Sequence, residues 1–124
     1  MRAAVLICAG WALLGAGLLV LLYAVPARAG EVCGKASWYG AAHHGRTMAN
    51  GHPFNQHAMT AAMWDVPLGS KFRVTRSGKS VVVTISDRGP ARRLNRVIDL
   101  SRAAAAKLGM IDAGVAKVCL SRLN

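Results

Sequence analysis

With 124 residues and 16 Lys and Arg against 5 Asp and Glu, a formal charge of +11, the chain has room for one compact domain beside an N-terminal segment and is strongly basic. No helix-turn-helix, finger or RNA-binding signature accompanies that charge, which argues against nucleic acid as the partner. An anionic envelope polymer or a membrane surface is the expected counterpart, with plain solubility as the alternative.

In chain order, Met1-Arg2 precedes an uncharged apolar run from Ala3 to Val25, followed by Pro26-Ala27-Arg28-Ala29. This pattern predicts a secretory signal cleaved after Ala29. The run is also long enough to span a bilayer, so an uncleaved anchor through residues 3–25 is the alternative. Cys8 lies inside this segment without a lipobox before it. The expected domain is residues 30–124, exported to the periplasm or cell envelope. Without Arg2 and Arg28 its charge is about +9. Its two cysteines, Cys33 and Cys119, are expected to form a disulfide in that oxidising compartment.

Lys35-Ala36-Ser37-Trp38-Tyr39-Gly40 alternates small and large residues and predicts a strand entering a loop. From Ala41 to Asn55 the chain holds His43, His44, His52 and an Asn50-Gly51 turn, with little apolar periodicity, which predicts a functional surface loop. A short helical turn is expected over Ala58–Met63, then a turn at Pro67-Leu68-Gly69 and a strand from Lys71 to Arg76. Ser77-Gly78-Lys79 turns the chain into Val81-Val82-Val83-Thr84-Ile85, a β-branched run suited to a packed strand. Gly89-Pro90 stops that strand, leaving Asp87 at its end with Arg88 beside it. Asp87 is there either a structural partner of nearby arginines or a catalytic acid. Ala91–Arg96 is a basic loop and Val97–Leu100 a short strand. Asp99 reads as a structural carboxylate near the free N–H groups of the next helix. Ser101 is placed to cap a helix over Ala103–Leu108 that Gly109 ends, and Val115–Leu120 alternates as a closing strand. Four or five strands with one or two short helices predict a small β-barrel. His43, His44, His52 and His57 fit no compact ligand motif, so no metal or other cofactor is expected.

Eight short motifs follow in order across Lys35 to Leu120: Ala36–Gly40, His44-Gly45-Arg46-Thr47, Ala49-Asn50-Gly51, Met59-Thr60-Ala61-Ala62, Pro67-Leu68-Gly69, Val81–Val83, Asp87-Arg88-Gly89-Pro90 and Ile98-Asp99-Leu100-Ser101. In order and spacing they resemble the rare lipoprotein A (RlpA) family. The resemblance implies a mainly β fold, a six-stranded double-psi β-barrel. It also implies an endolytic lytic transglycosylase that cuts peptidoglycan glycan strands, favouring those stripped of stem peptides, with Asp87 at the position of the family's catalytic acid. Where the family commonly has Gly-Glu-x-Phe/Tyr-Asp, this chain has Gly51-His52-Pro53-Phe54-Asn55, and Met63 replaces the histidine usual after Thr-Ala-Ala.

A lytic transglycosylase needs no water, because a hydroxyl of the muramic unit closes an anhydro ring; one residue can then serve as acid and afterwards as base. Asp87 is assigned that role, with His52 assisting. Trp38, Tyr39, His44, Arg46, Asn55 and Arg88 are the expected substrate contacts, since sugar rings pack on aromatics and Arg pairs with carboxylates. For Trp38 and Tyr39 the alternative is ordinary barrel core. The alternative function is an inactive, expansin-like glycan-binding module. Expected partners are glycan strands and septal or envelope proteins, with the chain itself a monomer.

Overall fold

The computed structural model describes residues 30–124. The expected signal or anchor at residues 1–29, with Cys8, lies outside the described residues. Six strands form: β1 Val32–Tyr39, β2 Thr60–Ala62, β3 Lys71–Arg76, β4 Lys79–Asp87, β5 Ile98–Ser101 and β6 Ala116–Arg122. They close a barrel in the order β1-β5-β2-β4-β3-β6, with β1/β5 and β2/β4 parallel and the other pairs antiparallel.

The period-2 pattern decides which residues enter the barrel. Phe72 and Val74 of β3, Val81, Val83 and Ile85 of β4, Ile98 and Leu100 of β5, and Val118 and Leu120 of β6 are buried together. Their neighbours Arg73 and Val82 stay exposed. Between β3 and β4, Ser77 and Gly78 have φ of +47° and +80°, so a two-residue turn of the primed type joins Arg76 to Lys79. The Ser77-Gly78 pair is what lets the hairpin close so tightly.

Ser101 caps α1, Arg102–Lys107, by accepting from the Ala104 N–H at 3.2 Å. It also donates to the Ala58 carbonyl at 2.6 Å, tying the helix start to the approach of β2. Ala104, Ala105, Leu108 and Met110 cover one part of the core, and Gly109 leaves the helix at φ +68°. Cys33 and Cys119 face one another in the β1/β6 register and are joined as a disulfide.

Ala58–Met63 is corrected. Thr60–Ala62 is a strand, held by parallel pairing to β4 on one side and antiparallel pairing to β5 on the other. Alanines with high helix propensity are overridden here by two neighbours distant in sequence. Among the described residues no helix is long and apolar enough to cross a membrane.

Candidate active site

The site is built on β2, the shortest strand. Its Ala61 points into the core and pairs with Leu100, so its Ala62 points outward and pairs with Asp99 on β5. On the other side β4 carries a register shift: Ala61 faces Ile85, but Ala62 faces Asp87. Strict alternation from Val81, Val83 and Ile85 would turn Asp87 into the core. The extra residue, Ser86, is buried instead, its hydroxyl on the Met48 sulfur at 3.3 Å, and the bulge swings Asp87 to the outer face.

Two carboxylates therefore flank one methyl group. Strands lie about 4.8 Å apart, so the Cα atoms of Asp87 and Asp99 are separated by roughly 9–10 Å across Ala62. The row continues to β1, where Ser37 pairs with Asp99 and donates to its Oδ1 at 3.0 Å. Above this row lies a groove of about 260 Å³, lined by Tyr39, His43, Ala62, Trp64, Asp87, Arg88, Asp99 and the Gly89-Pro90-Ala91 turn.

Each wall of the groove has a local cause. The Asp87 Oδ1 accepts from the backbone N–H groups of Ala49 and Arg88, both at 2.9 Å. Ala49 is delivered by a small hairpin within the histidine-bearing loop, where Thr47 and Pro53 form a bridge. Phe54 anchors that hairpin; its ring is buried and stacks on Tyr39 with centroids 4.3 Å apart. Gly89 holds φ +146°, a conformation side-chain-bearing residues rarely adopt, and a Cβ there would lie 3.7 Å from that of Ala62. Trp64 is pinned by donating its indole N–H to the Pro90 carbonyl at 2.6 Å, with the Arg92 guanidinium 4.7 Å from its ring centroid.

Burial pushes the Asp99 carboxyl above the usual carboxylate range, and Asp87 adds to that push. The Ser37 hydrogen bond, Arg96 and His43 oppose it. Tyr39 is raised well above an ordinary phenol by burial, then by Asp87 and Asp99, so it remains a neutral donor. Its hydroxyl is buried with no hydrogen-bond partner among the described residues.

Of the residues singled out from sequence, Asp87, Tyr39 and Arg88 line the groove. Arg88 is already engaged, donating to the Met63 and Val66 carbonyls at 3.0 and 2.6 Å. Trp38 lies against the core, its indole N–H on the Ile111 carbonyl, which is the alternative given for it above. His52 and Arg46 are exposed on the loop and outside the groove lining. His44 accepts from the Gln56 N–H, and Asn55 accepts from the His57 N–H, so both serve the loop's own turns. Sequence reasoning missed Asp99 as a groove residue, and with it His43 and Trp64. The signal for Asp99 was its place in Ile98-Asp99-Leu100, where apolar neighbours on both sides put it on the opposite face of the strand.

A family model described as "Lytic transglycolase" matches residues 31–120. The chain belongs to this family. Within it, the chain is 53% identical over 89 residues to the probable endolytic peptidoglycan transglycosylase RlpA of Synechocystis sp., covering 70% of this chain and 27% of that protein. It is 51% identical over 94 residues to the endolytic peptidoglycan transglycosylase RlpA of Pseudomonas aeruginosa, covering 74% and 27%. With the protein of that name from Neisseria meningitidis it shares 46% over 92 residues, covering 73% and 38%. The chain thus spans well under half the length of these curated relatives. Among solved structures, a Streptomyces papain inhibitor superposes with a TM-score of 0.62 at 25% identity, covering 77% of this chain and 96% of that one. The Clavibacter michiganensis expansin gives 0.60 at 22%, covering 76% and 50%. The expected double-psi β-barrel is the fold of this member of the lytic transglycolase family.

Proposed function

We propose that this domain is an endolytic peptidoglycan lytic transglycosylase in which Asp87 and Asp99 divide the movement of protons. The observation that carries it is the pair of carboxylates on strands either side of Ala62, both facing one groove. A carboxyl raised by burial keeps its proton to higher pH than an ordinary one, which suits Asp99 to the acid role. Asp99 protonates the glycosidic oxygen as its bond to C1 of the muramic unit breaks. The C6 hydroxyl oxygen of the same unit then bonds to C1, and its proton passes to Asp87, whose other oxygen is fixed by two backbone N–H groups. Exchange with solvent resets both acids.

The family's pattern departs at His52, Asn55 and Met63, which favours the second reading, a glycan-binding module without cleavage. Asp99 answers it, because a second carboxylate is present without one at position 52. Arg46 and His52, on the exposed loop, are assigned to the approach of the polymer, and His44 to the turn that holds that loop. The disulfide and the apolar N-terminal run support an extracytoplasmic envelope location, with residues 1–29 as signal or anchor.

The test is digestion of intact and peptide-stripped peptidoglycan in isotope-labelled water, with mass spectrometry of the ends. Unlabelled anhydro-muramic ends from the wild type, and none from Asp87→Asn, are expected. Labelled reducing ends would mean a hydrolase, and wall binding without new ends would mean a binding module.

A further inference from the structure

A larger cavity, of about 580 Å³, lies beside the groove and shares Trp64 with it. It opens at the end of the barrel where β2 and β6 finish and β3 and β5 begin. Its floor is apolar, with Met63, Val66, Phe72, Val97 and Leu120. Its rim carries Arg92, Arg96 and Arg122 against a single carboxylate, Asp65.

We infer that this barrel mouth is a second glycan subsite, in which Arg96 reads the carboxylate of a muramic unit neighbouring the bond that is cut. The subsite rests on the transglycosylase proposal for the identity of its ligand. Three observations lead to it.

The first is size. The groove over Asp87 and Asp99 falls below the roughly 300–1,000 Å³ of sites that bury a drug-sized ligand, whereas the mouth lies within that range. An enzyme that cuts inside a polymer must hold units on both sides of the bond, and the groove alone is too small for that.

The second is continuity. Trp64 lines both cavities, and the Pro90-Ala91-Arg92 turn runs from one to the other. A strand leaving the groove past Trp64 enters the mouth.

The third is chemistry. Arg92 is paired with Asp65 at 3.3 Å, and Arg122 is hydrogen-bonded to Ser70 and Asn124. Of the three guanidiniums, Arg96 is the one with no side-chain hydrogen bond among the described residues. A cation above an apolar floor suits an N-acetylated sugar acid, with methyl groups and ring C–H faces below and a carboxylate at the rim. The same guanidinium favours the ionised form of Asp99, together with Ser37 and His43 and against Asp87. A carboxylate bound at Arg96 offsets that pull, so filling the mouth leaves Asp99 better able to hold its proton.

The experiment compares two peptide-free oligomers of equal length on the full chain by calorimetry. One is neutral, β-1,4-linked N-acetylglucosamine, and the other alternates N-acetylglucosamine with N-acetylmuramic acid. The wild type should prefer the muramic oligomer. Arg96→Gln should lose about tenfold or more in affinity for it, as for loss of one charge-assisted hydrogen bond, and keep its affinity for the neutral one. Arg73→Gln, an exposed change outside both cavities, should alter neither. A wild type that does not distinguish the oligomers, or an Arg96→Gln effect that is absent or equal for both, overturns the subsite. Anhydro ends scored on the same samples separate the two proposals: selectivity through Arg96 without cleavage sinks the transglycosylase and keeps the subsite, while cleavage without selectivity does the reverse.

Discussion

Ser37 and Asp99 meet at 3.0 Å on adjacent strands, and this contact opposes the burial that raises the Asp99 carboxyl. A group raised on folding contributes stability that is full below its unfolded pKa and is lost as pH rises through the folded one. Asp99 therefore weakens the fold at neutral pH. Asp99→Asn should raise the urea midpoint at pH 7 and not at pH ~3, where the unfolded carboxyl is also largely protonated. Equal midpoint shifts at both values would show that the burial of Asp99 has no such consequence. Ser37→Ala removes a bond to the ionised form, so the alkaline limb of activity should move upward in a pH–rate profile. A limb that stays in place would take Asp99 out of the proton transfer.

The strands, rather than the loops, place the acids. Ala62 separates Asp87 from Asp99 by a single methyl group, and a larger side chain would fill the floor of the groove. Ala62→Leu should abolish glycan cleavage while far-UV circular dichroism stays native; cleavage at the wild-type rate would mean the sugar does not lie between the carboxylates. How much of this was legible in the sequence follows from how local each signal is. β3, β4 and the Ser101 cap were legible because β-branched alternation, a Ser-Gly turn and a capping hydroxyl act within a few residues. β2 was not, since Thr60–Ala62 owes its extended form to β4 and β5. Asp87 was legible from where its strand stops. That it faces outward depends on the bulge at Ser86, and the meeting with Asp99 depends on the order β1-β5-β2-β4, neither of which a linear pattern carries. Trp38 and Tyr39 are neighbours with opposite fates, one against the core and one on the groove, a difference of one residue in facing.

At the scale of the whole molecule, the Cys33–Cys119 bond ties the first strand to the last across a sequence separation of 86. Replacing both cysteines by Ser should cost about 2–5 kcal/mol, read from the urea midpoint. No change would mean that β1/β6 pairing alone closes the barrel. The site's strands β1, β5, β2 and β4 are consecutive in the barrel order, and the disulfide holds the outermost of them, β1, to β6. The measurement that tests the account most directly is the rate of anhydro-muramic product formation from peptide-stripped glycan by Asp99→Asn, beside the wild type and Asp87→Asn. Loss of a positioned acid predicts a fall of roughly 10²–10⁴-fold for Asp99→Asn, with folding and glycan affinity retained. An Asp99→Asn enzyme within a few-fold of the wild type would contradict the two-carboxylate site and return all the proton chemistry to Asp87.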